Sequence, residues 1–245
     1  MSLPWRDKLK MLLPPSLYYR RRIAYELRTG EPELAILAEL MPRGGTAVDV
    51  GANEGFFAYA LAQVADRVVA FEPNPDYAAF ARWMLRGRAE VHGLALGDKP
   101  GRETFYVPVS DEGMVLHLAG SLSRAAHAQF SRVQTYEVAV RTLDEFALTD
   151  VRFIKADVEG SERAVLEGAR KTIARDRPAI LLELLSGTHA DPGAYTAEIC
   201  ASFGYDAVLV QHGQKIAALP AIAALGKNTS WGTKIETRNV LFLPK

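Results

Sequence analysis

From Thr46 onward the chain alternates short apolar runs with helical patterns, and this rhythm restricts the fold more than any other feature. Thr46 to Val50 reads as a buried strand, Phe56 to Val64 as a helix, Arg67 to Phe71 as a strand and Asp76 to Leu85 as a helix. That succession marks an α/β protein with a parallel sheet covered by helices on both faces. Glu90 to Leu96 supplies a third strand, and Gly101 to Val107 and Val133 to Val140 read as strands flanking a polar loop. Phe153 to Ala156 and Ala179 to Leu185 continue the strands, Ser161 to Ile173 and Tyr195 to Phe203 the helices. Ala207 to Val210 and Val240 to Leu243 read as a closing antiparallel pair with no clear helix between them.

Two short helical patterns, Trp5 to Leu13 and Leu17 to Leu27, precede this unit, separated by Pro14-Pro15, and a third, Pro32 to Leu40, stops before Pro42-Arg43-Gly44-Gly45. The simplest division is a helical amino-terminal arm over residues 1–42 and one domain over 43–245. Up to Arg28 the arm holds seven basic residues against two acidic ones, a surplus that the rest of the chain balances to a net charge of zero. Nothing global therefore draws the protein to nucleic acid. The single Cys200 excludes an intrachain disulfide, and no signal peptide or run of roughly 20 apolar residues is evident, so the cytoplasm is the expected compartment. The arm has two readings: basic residues interleaved with Trp5, Leu12, Leu13, Leu17, Tyr18 and Tyr19 suit the anionic inner face of a membrane, or they pack on the domain edge or a partner subunit.

Asp49-Val50-Gly51-Ala52-Asn53-Glu54-Gly55 lies where the first strand gives way to the first helix, the place where open parallel sheets bind ligands. Gly51 and Gly55 permit a tight turn, and Glu72, ending the second strand, is placed to accept both hydroxyls of a ribose. Asn53 and Phe56 occupy positions where a dinucleotide site carries glycines, and Asp49 would repel a pyrophosphate while suiting the ammonium of a methionine moiety. S-adenosylmethionine therefore fits better than a dinucleotide.

Five segments in order resemble the FkbM-type methyltransferases of the class I S-adenosylmethionine fold: Asp49 to Gly55, Val69 to Pro75, Ala95 to Asp98, Arg141 to Asp144 and Phe153 to Glu162. The resemblance implies a Rossmann-like, seven-stranded, mostly parallel sheet with one antiparallel strand. It also implies S-adenosylmethionine as methyl donor and an oxygen acceptor on a small molecule or sugar. Carried over by position, Asp49, Gly51, Asn53 and Gly55 would line the methionine end, Glu72 would hold the ribose, and Leu96 and Asp98 would lie near the adenine. Asp157 would face both methyl group and acceptor.

An alcohol acceptor must lose its proton, and the candidates to take it or to orient the acceptor are Asp157 at the exit of the fourth strand of that order, Glu183 within the fifth and His189 after it. Lys155 and Glu183, charged groups inside central strands, suit a structural ion pair. The competing reading is that Asp157, Glu159 and Glu183 hold Mg2+, which would lower the pKa of an acceptor hydroxyl. Two further function classes stand beside the enzyme: a non-catalytic S-adenosylmethionine-binding or assembly protein on the same fold, and a nucleic-acid methyltransferase. The last is disfavoured by Asp157-Val158-Glu159-Gly160, which lacks the Pro-Pro motif of amino-methylating DNA enzymes, and by the missing basic-aromatic groove.

Overall fold

The computed structural model describes residues 9–29, 31–42, 44–111, 115–116, 120–124, 128, 130–185, 189–225 and 237–245. Trp5 to Lys8, the first part of the expected helix over Trp5 to Leu13, lie outside them. The main sheet comprises β1 (Thr46–Val50), β2 (Arg67–Phe71), β3 (Glu90–His92), β7 (Val151–Ala156), β8 (Ala179–Glu183), β9 (Tyr205–Gln211), β10 (Gln214–Ala217) and β11 (Asn239–Pro244). Its order is β10-β9-β11-β8-β7-β1-β2-β3. A second sheet, ordered β4-β6-β5, is formed by β4 (Ala95–Leu96), β5 (Gly101–Val109) and β6 (Arg132–Arg141).

The α/β class and its mostly parallel sheet are as the alternation implies, but the strand count differs from seven. β11 runs antiparallel between β8 and β9, as the closing pair anticipates. The extra strand, β10, folds back on β9 through His212-Gly213, both at positive φ, a two-residue turn that sets the twist of a hairpin. The expected third strand divides in two. Glu90 to His92 pairs with β2, and after a turn Ala95 and Leu96 pair with β6. A helix over Ala218–Leu225 also stands between β10 and β11. Its sequence is apolar almost throughout, so it shows no 3.6-residue stripe by which to read it.

β1, buried along its whole length, is the centre of the sheet, with β2 parallel on one side and β7 on the other. The chain leaves β1 toward β2 and β3 and later returns through β7 and β8, so the carboxyl ends of β1 and β7 border the crevice where strand order reverses. Alternate residues of these strands feed two apolar layers. Val48, Val50, Ile154 and Leu182 pack against Val165, Leu166 and Ile173 on one face. Ala47, Ala70, Phe153 and Leu181 pack against Phe57, Phe80 and Tyr19 on the other. Tyr19 comes from the arm helix Pro15–Thr29, so the arm contributes to that layer.

The expected helix over Ser161 to Ile173 is two helices, Glu162–Glu167 and Arg170–Asp176, interrupted at Gly168. A Cβ on Gly168 would stand 2.0 Å from the carbonyl oxygen of Gly97, so the glycine permits the helix pair to rest on the turn after β4. Gly168→Ala is therefore expected to lower stability by about 1–3 kcal/mol in urea unfolding. Gly101→Ala, where nothing lies within 4 Å of the new Cβ, is expected to stay within about 0.5 kcal/mol of the parent.

Candidate active site

The turn after β1 is shaped first by the protein's own backbone. Gly51 has φ +77°, and a Cβ there would stand 1.9 Å from the carbonyl oxygen of Asp157, so the exits of β1 and β7 come together only because this residue is glycine. The amides of Gly51 and Ala52 both donate to the carbonyl of Phe71 at 2.9 and 3.0 Å, tying the turn to the end of β2. Asn53 follows in the left-handed region at φ +50°, and its amide donates to Glu72 Oε2 at 2.7 Å. Glu72 Oε1 accepts from the amide of Asn74 at 2.7 Å. Burial pushes the Glu72 carboxyl up to about 7, against the pull of these two amides.

A cleft with two confluent halves, each about 600 Å³, opens over this turn. Val50, Phe71, Leu94, Leu96, Phe105, Leu122 and Val158 make the first half apolar, and Glu72 borders it at the end of β2. Arg22, Glu26, Glu31, Glu54, Lys155, Glu183 and Arg238 make the second half charged. Gly51, Asn53, Asp157 and Glu159 line both. The cleft thus gathers six of the residues that motif position selects: Gly51, Asn53, Glu72, Leu96, Asp157 and Glu159. Glu183 joins them in the charged half.

Four other expected site residues stand elsewhere. Asp49 shares the sheet face of Ala47, is wholly buried and borders neither half of the cleft; burial pushes its carboxyl up to about 6, against the pull of Lys155, its register neighbour on β7. Gly55 lies beneath Leu85 and Tyr19, where a Cβ would come within 2.7 Å of Leu85, so packing rather than a ligand requires it. Asp98 is exposed beyond the end of β4, outside the cleft. His189 bonds through Nε2 to Glu162 Oε2 at 3.1 Å, its ring against Tyr195, and lines neither half. Glu162, fully buried, also accepts from the amides of Val158 and Gly160 at 3.3 and 3.2 Å. His189 therefore supports the loop that follows β7 instead of reaching the cleft. Ser121 supports the same loop, donating to the carbonyl of Glu159 at 2.8 Å.

Lys155 bears on the reading of the inner carboxylates as an ion pair. Its Nζ lies 3.2 Å from Asp157 Oδ2, so its ion-pair partner is Asp157 and not Glu183. Register explains this, since Lys155 lies opposite Leu181 on β8, two residues short of Glu183. Burial favours a neutral Asp157, yet Lys155 and a hydrogen bond with Glu183 hold its carboxyl below the usual range. Burial and the neighbouring Asp157 push Glu183 well above it. The pair therefore carries one proton, on Glu183, donated to Asp157. Among the described residues no three carboxylate, histidine or cysteine side chains converge as metal ligands.

Charged residues missed in the sequence complete the second half. Arg22 bonds Glu26 at 2.7 Å, and Arg238 reaches Glu26 at 3.3 Å and Glu31 at 3.2 Å, with Glu183 at 3.9 Å. Burial pushes Glu31 up to about 7, against Lys155 and Arg238, and Glu33 up to about 8. Lys10 and Tyr18 both bond the carboxylate of Glu54, and Tyr19 donates to its carbonyl at 2.7 Å, so the arm holds the turn that floors the cleft. The only signal for these roles in the sequence is the basic character of the arm.

A glycine turn and a buried carboxylate at the switch point of this sheet define a Rossmann-like methyltransferase of the class that uses S-adenosylmethionine. The chain belongs to the FkbM methyltransferase family, whose domain (Methyltransferase FkbM domain) matches residues 49–207. The crystal structure of methyltransferase FkbM from Methylobacillus flagellatus KT is similar in fold, with a TM-score of 0.51 and 21% sequence identity over 81% of this chain. The match covers 43% of that protein, so the chain spans less than half its length. Looser likenesses include an rRNA methylase from Streptococcus thermophilus, with a TM-score of 0.47 and 13% identity over 87% of this chain and 95% of that one. A SAM-dependent methyltransferase from Aquifex aeolicus has a TM-score of 0.43 and 16% identity over 83% of this chain and 95% of that one. No curated protein matches the chain in sequence.

The residues present fit the donor that this class implies. The apolar half offers a slot for a base. Each Glu72 oxygen keeps a lone pair for a ribose hydroxyl beyond the amide it already accepts. Asn53 Oδ1, buried without a hydrogen-bond partner, supplies one more acceptor in a wall of the cleft. In calorimetry Glu72→Ala is expected to weaken S-adenosylhomocysteine binding by about 10- to 100-fold, whereas Asp98→Ala leaves it unchanged; equal losses would return Asp98 to the site.

The raised carboxyls also set a pH dependence of stability. Glu31, Glu33 and Glu72 hold protons in the folded protein up to about 7, 8 and 7, whereas unfolded glutamates ionise near 4.5. Their contribution is complete below the unfolded value and is lost as pH rises through the folded values. The melting temperature should therefore fall by about 5 °C or more between pH 5 and pH 8, and Glu33→Gln should flatten that fall in a thermal-shift titration.

Proposed function

We propose that the chain transfers a methyl group from S-adenosylmethionine to a hydroxyl of a small molecule or sugar bound in the charged half of the cleft. The observation that carries this reading is the position of Asp157, which lines both halves, ionised beside Lys155 and hydrogen-bonded to a protonated Glu183. A carboxylate at the junction of a nucleoside slot and a polar chamber touches whatever is held in each. The chamber suits a polyhydroxylated guest, since it offers carboxylates to accept from hydroxyls, guanidiniums to donate to them, and the rings of Phe56 and Phe57 for an apolar face.

S-adenosylmethionine, when bound, supplies an electrophilic methyl group on sulfur. Most of the rate enhancement then comes from holding the acceptor oxygen in line and close. Asp157 accepts the hydrogen bond of the acceptor hydroxyl, which fixes the direction of the oxygen lone pair. The proton passes to Asp157 as the new C–O bond forms. At that moment the oxygen is positive and strongly acidic, so a carboxylate of low basicity suffices. Lys155 keeps Asp157 ionised beforehand, and Glu183 stays protonated so that two buried negative charges do not face each other.

Release of S-adenosylhomocysteine from the purified protein with a panel of sugars and polyols tests this reading. Asp157→Asn is expected to lower turnover by about 100-fold or more while S-adenosylhomocysteine binding survives. Parent-like turnover in that variant would remove Asp157 from catalysis. Tight cofactor binding with no turnover on any hydroxyl acceptor would favour a non-catalytic S-adenosylmethionine-binding protein.

A further inference from the structure

The arm helix Pro15–Thr29 has two faces with different work. Tyr18, Tyr19, Arg22 and Glu26 turn inward, the last two as walls of the charged chamber. At 100° per residue the opposite face carries Leu17, Arg20, Arg21, Ala24 and Arg28, all exposed. Between residues 9 and 29 the only acidic residue is Glu26, which is buried on the inner side. The outward face is therefore cationic without a carboxylate of its own. Directly before it, Leu9, Leu12 and Leu13 stand in solvent, with Leu12 79% exposed. Six of the eight exposed large apolar side chains among the described residues lie between Leu9 and Leu27. The leucines do not fold back, because Lys10 and Tyr18 are bonded to Glu54 and the turn is closed by the Leu12 and Leu13 amides on the carbonyls of Leu9 and Lys10.

We propose that this face docks the protein on an anionic lipid surface, with the leucines entering the headgroup boundary and Arg20, Arg21 and Arg28 against lipid phosphates. Charge complementarity selects this occupant. A second copy joined through the same face by a two-fold axis would set the arginine strip against itself. A nucleic acid would reward the arginines and leave the leucines in water. Leucines directly before a helix whose outward face carries arginines suit an interface that is apolar below and negative above. No helix among the described residues is long and apolar enough to cross a membrane, so the contact is with the surface. The docked face and the chamber wall are opposite sides of one helix, roughly 10 Å apart. The charged half of the cleft is thereby held beside the lipid surface, where an acceptor with a polar head and a lipid anchor would present its hydroxyls.

Sedimentation of the full chain with phosphatidylcholine vesicles, with and without phosphatidylglycerol, tests the proposal without any assay of turnover. The expected result is binding to the anionic vesicles alone, released by high salt. Arg20→Glu with Arg21→Glu should lower partitioning at least about tenfold, and Leu12→Ser with Leu13→Ser should lower it to a similar degree, roughly tenfold. Both variants should keep the parent's melting temperature and S-adenosylhomocysteine affinity, since all four residues are exposed. The proposal is overturned if the chain stays in the supernatant with anionic vesicles at low salt, or if both variants sediment like the parent. A concentration-dependent dimer that Leu12→Ser abolishes would overturn it as well, by assigning the leucines to a second copy.

Discussion

One buried ammonium organises the cleft. Lys155 sits on the central strand β7, 3% exposed, over the ring of Phe57, with Asp49 beside it on β1 and Asp157 two residues ahead. Although burial alone would favour its neutral form, the surrounding Asp157, Asp49, Glu31 and Glu183 raise its pKa, so it remains charged. A lone positive charge at such a depth is costly, and removing it would be costlier, because several carboxyls would then face one another without compensation. The consequences run outward from this residue. Asp157 is kept ionised, Glu183 takes the proton, Asp49 is neutralised in place, and Arg238 closes the ring from the entry of β11.

The two halves of the cleft have different origins in the chain. Every residue of the apolar half lies inside the span shared with the FkbM family, residues 49–207. Four charged residues of the other half, Arg22, Glu26, Glu31 and Arg238, lie outside it. A donor common to many enzymes needs the same slot in each, whereas an acceptor is distinguished by the groups that meet it. If the charged half takes the acceptor, as proposed, the flanking segments carry this chain's own specificity, and a family resemblance identifies a methyl donor and leaves the recipient open.

The same division explains what could be read in advance. The βαβ rhythm, the turn at Gly51 and the carboxylate at Glu72 are local patterns within a few residues of a strand end, and local periodicity reveals them. Asp49 and Gly55 belong to the same motif, yet strand alternation turns Asp49 away from the cleft and Gly55 serves the packing of Tyr19 and Leu85. Asp157 pairs with Lys155, two residues before it, but meets Glu183 because of a register between β7 and β8 that no single strand encodes. Arg238 reaches Glu183 only because β11 inserts antiparallel beside β8, 55 residues later in the chain. Such long-range placements follow from the assembled sheet.

The arm joins these levels. Glu54 belongs to the turn that floors the cleft, and its carboxylate and carbonyl are both held by the arm, through Lys10, Tyr18 and Tyr19. Arg22 and Glu26, one and two helical turns further on, enter the chamber from the same helix. A displacement of that helix would therefore act on the turn after β1 and on the wall of the charged half together, since both are bonded to one rigid element. Its exposed leucines and arginines stand at the other side of this element, so events at the protein surface and the geometry of the cleft are connected by a single helix rather than by a relay of loops.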